Sequence, residues 1–418
     1  MTDRYSAFRI NFEQQQKRAK ELLKRARGGD SAALARFART PPKLAEAQSL
    51  IARELRFENW LALKRHTAAL SVERQAMTAS VLDSDLRTLH IRCGSDIKTA
   101  LQTAGLRGDF YEHSYPYLIG PVREGPGCLE QRASFLVESY GEAHSPPLEF
   151  EAVLRGLQRD ERVLGNSAEY ERVVIWSEAD TYDQLVLIRL LAHYATHPRP
   201  DRLELINSGD FPGSARFIGL GQLPPEALRM LWSTRRPADS AQLRLGLKAW
   251  SALTSPDPRS LAAMVRERTP ELPLLARALH RHLRELPSTT NGLSLTEEMA
   301  LSLLAEHPHS LMHMIGRMIY AVDPLPGQGD SNVRRRVLDM ERAQKPVFSR
   351  QPGLDRNGES RPPWTDVLTI TDLGNTVLQG GVDFRSLNPP PRWVGGVEVA
   401  PGNADWRWDD RIRDAVLR

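Results

Sequence analysis

Two short stretches of this sequence place together residue types that do chemistry. The first is Cys93-Gly94-Ser95-Asp96, where the strand-like run Thr88-Leu89-His90-Ile91-Arg92 hands over to a helical run at 97–104. Such a corner leaves the first helical amides without partners, and the helix dipole makes that end positive, which suits an anionic ligand group. Gly94, Ser95 and Asp96 are therefore candidate ligand-binding residues, and Cys93, close to a helix N-terminus, is a candidate nucleophile. The same residues also make an ordinary helix cap, and one glycine falls short of a dinucleotide-binding fingerprint. The second stretch is Glu178-Ala179-Asp180-Thr181-Tyr182-Asp183, directly after the apolar run at 173–176. Carboxylates at a strand end can hold Mg²⁺ with substrate phosphates, which makes Glu178 and Asp180 candidate metal ligands. Asp96, Glu178 and Asp183 become candidate catalytic acids or bases if they face one crevice. Asp180 with Asp183 three residues on also reads as an acidic capping box, which leaves Glu178 alone without a structural task.

His113 and Tyr115 follow a second strand at 108–113 and are candidate ligand-binding residues on the same edge. The pairs His193/His197 and His280/His282 lack a completing carboxylate, and His307, His309 and His313 lack cysteine support, so the spacing argues against zinc. The sequence carries no GxSxG, P-loop, HExxH or CxxC pattern.

The elements that must position these residues read as follows. Residues 1–75 are helical, with Gly28-Gly29 stopping one helix and Asp30 or Ser31 able to cap the next. Residues 86–210 alternate strands with helices, the pattern of a doubly wound, mostly parallel sheet. The strand at 172–176 is continuously apolar from Val173 to Trp176, as expected of burial on both faces, and the helix at 182–194 is apolar almost all round. Residues 211–286 read as a helical connector. In 287–418 three helices precede a β element. The first is entered through a Ser294/Glu297 capping box, and the third carries Arg334, Arg335, Arg336, Arg342 and Lys345. That layout predicts a winged-helix-like domain, with those five residues as candidate nucleic-acid contacts. Trp393, Trp406 and Trp408 belong to a tail expected to wrap back onto the body. The predicted class is α/β plus all-α.

A length of 418 residues suggests about three domains. Apolar residues at 41% and charged residues at 26% exclude a wholly disordered or collagen-like chain. The net charge is only +4, yet residues 1–72 hold fifteen Lys/Arg against seven Asp/Glu, a local excess suited to an acidic partner or to a solvated helical face. Two cysteines cannot build a disulfide framework, and the longest apolar segment, 185–195, contains Arg189 and His193 and is well short of the roughly 20 residues of a membrane span. These features, with no apolar leader after Met1, predict a cytosolic chain with no membrane partner.

The segments 89–96, Gly108-Asp109-Phe110, Gly120-Pro121-Val122 and Val174-Ile175-Trp176-Ser177-Glu178-Ala179-Asp180-Thr181-Tyr182-Asp183 resemble a bacterial family classed only as a domain of unknown function. Residues 286–297 and Arg392-Trp393-Val394-Gly395-Gly396-Val397 resemble its usual C-terminal companion. The resemblance spans about residues 86–400 and implies architecture without a reaction. The family pattern has an acidic residue where this chain has Tyr115, and a histidine where it has Ala179, which tilts the implication from catalysis toward binding. The residues therefore point to a regulator that binds a small anionic or nucleotide-like ligand and contacts nucleic acid. The alternatives are a metal-dependent phosphoryl-transfer or nucleotide-processing enzyme with Mg²⁺, and a protein-interaction module.

Overall fold

The computed structural model describes residues 5, 7–141, 146–214, 216–355 and 358–418. The chain divides into two units. The first comprises Met1–Ser114, Ser167–Glu178 and Arg199–Ala238, and the second Tyr115–Asn166, Ala179–Pro198 and Asp239–Arg418. The helical start thus shares a unit with the sheet, and the connector expected at 211–286 is divided after Ala238.

Helices α1 (Phe12–Arg27), α2 (Ser31–Leu34), α3 (Leu44–Glu54) and α4 (Trp60–Ala76) precede β1 (Thr88–Arg92), α5 (Lys98–Thr103) and β2 (Asp109–Glu112) in the first unit. The chain then forms α6 (Cys128–Tyr140) and α7 (Phe150–Asn166) of the second unit and returns to the first as β3 (Arg172–Glu178). It leaves again as α8 (Thr181–Thr196) and returns as β4 (Arg202–Ser208), α9 (Pro225–Trp232) and the edge strand β5 (Arg236–Pro237). The second unit continues with α10 (Ser240–Thr254), α11 (Arg259–Glu267), α12 (Leu275–Leu283), α13 (Leu295–Glu306), β6 (His309–Ser310), α14 (Leu311–Arg317) and α15 (Asp330–Glu341). Strands β7 (Phe348–Gln351) and β8 (Val367–Ile370), α16 (Asp372–Leu378) and the hairpins β9 (Arg392–Val394)/β10 (Val397–Val399) and β11 (Trp406–Asp409)/β12 (Asp414–Leu417) complete it.

The first unit is built on a five-stranded sheet of order β2-β1-β3-β4-β5, parallel except for the antiparallel edge strand β5. Every residue of β3 is buried, the consequence of cover on both faces. Val174, Trp176 and Ile206 pack with Ile97, Leu101, Leu228 and Trp232 from the α5 and α9 regions. The N-terminal helices are positioned by their caps. The Asn11, Asp30 and Asn59 side chains each accept a first-turn amide, and Gly29 at φ +89° makes the stop after α1. Their shared core holds Ala19, Leu22, Ala26, Ala47 and Ile51.

In the second unit α8 buries Leu185, Leu187, Ile188, Leu190 and Leu191 completely, and it lies so close to α10 that a Cβ on Gly246 would collide with Leu191. Around α13 to α15 a separate core gathers Leu301, Leu311, Met314, Val337, Phe348 and Leu368. Strands β6, β8 and β7 form an antiparallel sheet in that order. The tail does wrap back: Trp406 and Trp408 are buried, and Trp408 donates its amide to Pro287 O at 2.8 Å. Among the described residues no helix is long and apolar enough to cross a membrane.

Candidate functional site

In the first unit β1 and β3 are parallel neighbours from which the chain departs to opposite sides, toward β2 and toward β4. This makes their carboxyl ends the switch point at which open α/β sheets bind ligands. Asp96 and Glu178 do meet at that rim, but a protein cation lies between them. Arg92, the last residue of β1, directs Nε to Asp96 Oδ1 at 3.2 Å and Nη2 to Asp96 Oδ2 at 3.3 Å and to Glu178 Oε2 at 3.0 Å. Glu178 Oε2 also accepts the Leu220 amide. The turn at 219–221 lies directly on these carboxylates, so that a Cβ on Gly219 would overlap Glu178 and one on Gly221 would overlap Asp96. Arg92 thus sets a positive charge between Asp96 and Glu178, and the Gly219-Leu220-Gly221 turn packs against both carboxylates.

The remaining residues expected at this rim have structural surroundings. Ser95 and Asp96 are exposed and Gly94 is half-buried, but α5 has only six residues and begins after Ile97, whose side chain offers no cap. The corner is thus not the helix cap that its sequence suggests. Cys93 is buried. His113 is fully buried, lies 3.3 Å from the Tyr111 hydroxyl through Nδ1, and donates its amide to Arg92 O at 2.8 Å. The unit boundary runs between Ser114 and Tyr115 and again between Glu178 and Ala179, so Tyr115, Asp180 and Asp183 belong to the second unit. There Asp180 caps α8 by accepting the Asp183 amide at 2.8 Å, and Asp183 is buried. Gly327 covers the start of α8, where an added Cβ would stand 2.9 Å from the Thr181 amide nitrogen.

Some of the positive charge of the N-terminal segment is paired within the first unit. Arg9 and Arg74 both bind the buried Glu226, Arg18 and Arg36 share Glu54, and Arg25 binds Asp30. The candidate nucleic-acid residues divide in three directions. Arg334, Arg342 and Lys345 are exposed. Arg335 lies over the Phe135 and Tyr140 rings of α6, at 5.7 and 5.2 Å from their centroids, and Arg336 is half-buried. The neighbouring Asn332 accepts the Tyr140 hydroxyl at 2.9 Å.

Sequence reasoning missed a cavity of about 480 Å³ that lies wholly within the second unit. Its aromatic wall is Tyr117, stacked on Tyr115 with ring centroids 5.2 Å apart, and Trp250, edge-on to Tyr117 at 5.0 Å. Trp250 Nε1 donates to Glu124 at 2.5 Å. Arg189 projects from α8, pairs with Glu161 at 2.6 Å, and lies 5.5 Å from the Trp250 ring centroid. Arg132 is buried and donates to three backbone carbonyls: Ile119, Pro116 at 2.9 Å and Pro121 at 3.4 Å. None of its hydrogen bonds goes to a carboxylate, its Nε has no partner, and burial lowers its pKa. Gly120, at φ +72°, is required there, because a side chain would strike both Arg132 and Phe135.

His193 stacks on His197 with centroids 4.5 Å apart, and its Nε2 is buried without a hydrogen-bond partner. Burial, with Arg189 and His197 beside it, pushes the His193 pKa down to about 4. The first residue of α6, Cys128, also lines the cavity, and burial raises its thiol pKa despite the helix N-terminus. Of the residues singled out from sequence, Tyr115 lies here. The available signal was Arg189 and His193 in an otherwise apolar helix, where a charge needs a built environment. A comparison with known proteins finds no matching family model and no matching curated relative.

Proposed function

We propose that this chain is a ligand-responsive binding protein whose second unit takes up a small planar molecule carrying a carboxylate or phosphate. The cavity carries this reading. Its volume lies within the range of small-molecule sites, its wall is aromatic, and three lining arginines, Arg123, Arg132 and Arg189, face two glutamates, Glu124 and Glu161. Arg132 matters most, because a buried guanidinium held only by carbonyls keeps its charge available to an anion. The start of the 13-residue helix α6 at Cys128 adds its positive end.

A winged-helix-like output is the second part of the proposal. It draws support from the order α13, β6, α14, α15, β7, β8, with β8 paired between the other two strands. Helix α6 provides a route between the two parts: Cys128 and Arg132 line the cavity, while Phe135 and Tyr140 pack on Arg335 and Asn332 of α15. A ligand that prefers one position of α6 would then bias α15, by as much as its affinity for the two positions differs. Nucleic-acid contact narrows to the exposed Arg334 on α15 and to Arg342 and Lys345, which lie beyond its last residue, Glu341, and not on the helix as the sequence suggests. Metal-assisted phosphoryl transfer at Asp96 and Glu178 gains no support from a rim held by Arg92.

Titration calorimetry of the full chain against planar carboxylates and nucleoside monophosphates tests the first part. We expect saturable one-to-one binding by at least one compound, weakened about tenfold or more in Arg189→Met, the loss of one charge-assisted hydrogen bond. No heat across the panel, or unchanged affinity in that variant, sinks the reading. Gel retardation with genomic DNA at low and moderate salt tests the second part, and no retarded fragment removes it.

A further inference from the structure

We propose that Glu306, His307, His309 and His313 form a binding site for a first-row transition ion of the Zn²⁺ class. The site is separate from the cavity and does not depend on the ligand reading. Its four donors fall within eight residues, at the corner where α13 ends, β6 forms one edge strand of its sheet, and α14 begins. The corner is held rigidly. His309 pairs with Leu368 of β8, and the Ser310 side chain caps α14 by accepting the His313 amide. Glu306, His307 and His309 each offer a ligand atom, and these atoms lie within 4.8 Å of one another.

The separations fit a metal better than a hydrogen-bonded histidine cluster. His309 Nδ1 and His313 Nδ1 are 3.3 Å apart, longer than an ordinary N–H hydrogen bond. A tetrahedral ion with metal–nitrogen bonds of about 2.0–2.1 Å sets its ligand atoms about 3.3–3.4 Å apart. His307 Nδ1 lies 3.0 Å from the Pro308 carbonyl, which fixes the proton on Nδ1 and turns the Nε2 lone pair outward as a donor. Glu306 binds Arg317 at 3.1 Å through Oε2, leaving Oε1 for an ion. Three imidazoles and a carboxylate suit Zn²⁺ and its neighbours and disfavour Ca²⁺ or Mg²⁺. A bound ion would clip the end of α13 to the start of α14.

The test uses the full chain, stripped with a chelator and titrated with Co²⁺ and then Zn²⁺, with no other ligand present. We expect visible ligand-field absorption of four-coordinate intensity that saturates at one equivalent of Co²⁺ and is abolished by Zn²⁺. His307 and His313 are exposed, so His307→Gln with His313→Gln should leave the metal-free melting temperature unchanged while weakening Zn²⁺ affinity by about tenfold or more. If the double variant melts lower without metal, His313→Gln alone must still reduce the affinity. Absence of the Co²⁺ bands, or wild-type affinity in the variants, overturns the site. The histidine pair would then be an imidazole–imidazole hydrogen bond and nothing more.

Discussion

Arg92 of the first unit and Arg132 of the second are both buried guanidinium groups, and they are satisfied by different chemistry. Arg92 meets two carboxylates, the exposed Asp96 and the buried Glu178, against a glycine-flanked turn. Among the described residues Arg132 hydrogen-bonds only to the backbone carbonyls of 116, 119 and 121, in the wall of a cavity. Carboxylates cancel the charge and close a site. Carbonyls satisfy the hydrogen bonds but leave the charge, and a buried charge without a counter-ion is the feature an anionic ligand can use. The rim that topology marks as a binding place thus holds an ion cluster centred on Arg92, while the cavity, which no topological signature marks, holds an arginine with no carboxylate partner among the described residues.

The largest expected effect follows from the closed cluster. Arg92→Met removes the cation and leaves Glu178, 8% exposed, as an uncompensated buried carboxylate. Breaking a buried pair from one side costs about 3–5 kcal/mol, readable as a lowered urea midpoint at unchanged slope. A loss under about 1 kcal/mol would mean that the rim is solvated and open, and the contrast with Arg132 would fail.

The cavity predicts a different dependence, on pH. The His193 pKa is pushed down from 6.5 to about 4, so the folded chain resists the proton that the unfolded chain accepts. The sign follows from linkage: above pH 6.5 both states are neutral and the group has no effect, and as pH falls from 6.5 toward 4 the unfolded state gains protons first and stability declines. His193→Gln should flatten this part of the stability profile. A saturating anion in the cavity should flatten it as well, by favouring the protonated ring in the folded state. An identical profile in the variant would place the acid sensitivity elsewhere, with the half-buried His66 or the buried His282, whose pKa values are also pushed down to about 4.

Much of the fold was legible because local patterns and tertiary demands agree. The strand-like run at 88–92, the apolar 173–176 run and the Asp180 and Ser294 caps all appear where their residue types require them. The site was less legible for a physical reason. Asp96 and Glu178 carry the same chemistry whether they face solvent, Mg²⁺ or Arg92, and only the placement of 219–221, more than forty residues beyond Glu178, decides among these. Helix spacing likewise shows that Arg334, Arg335 and Arg336 point in different directions, but not that the Phe135 and Tyr140 rings would cover one of them. His307, His309 and His313 were set aside for want of cysteines, yet a strand-to-helix corner brings imidazoles together that no single helical or strand period would.

The smallest expected effect tests whether the cavity is joined to anything. Tyr140→Phe keeps the ring that Arg335 covers and deletes only the hydroxyl that Asn332 accepts at 2.9 Å. One neutral hydrogen bond is worth about 1 kcal/mol net, so global stability should fall by about that amount. Tyr140 lies toward the far end of α6 from Cys128 and Arg132 and does not line the cavity, so ligand affinity should change little. The informative quantity is the exchange protection of the α15 amides with and without ligand. If α6 carries the coupling, ligand alters that protection in the wild-type chain and alters it less in Tyr140→Phe. An equal response in both would leave the cavity as a binding site whose occupancy α15 does not register through this contact.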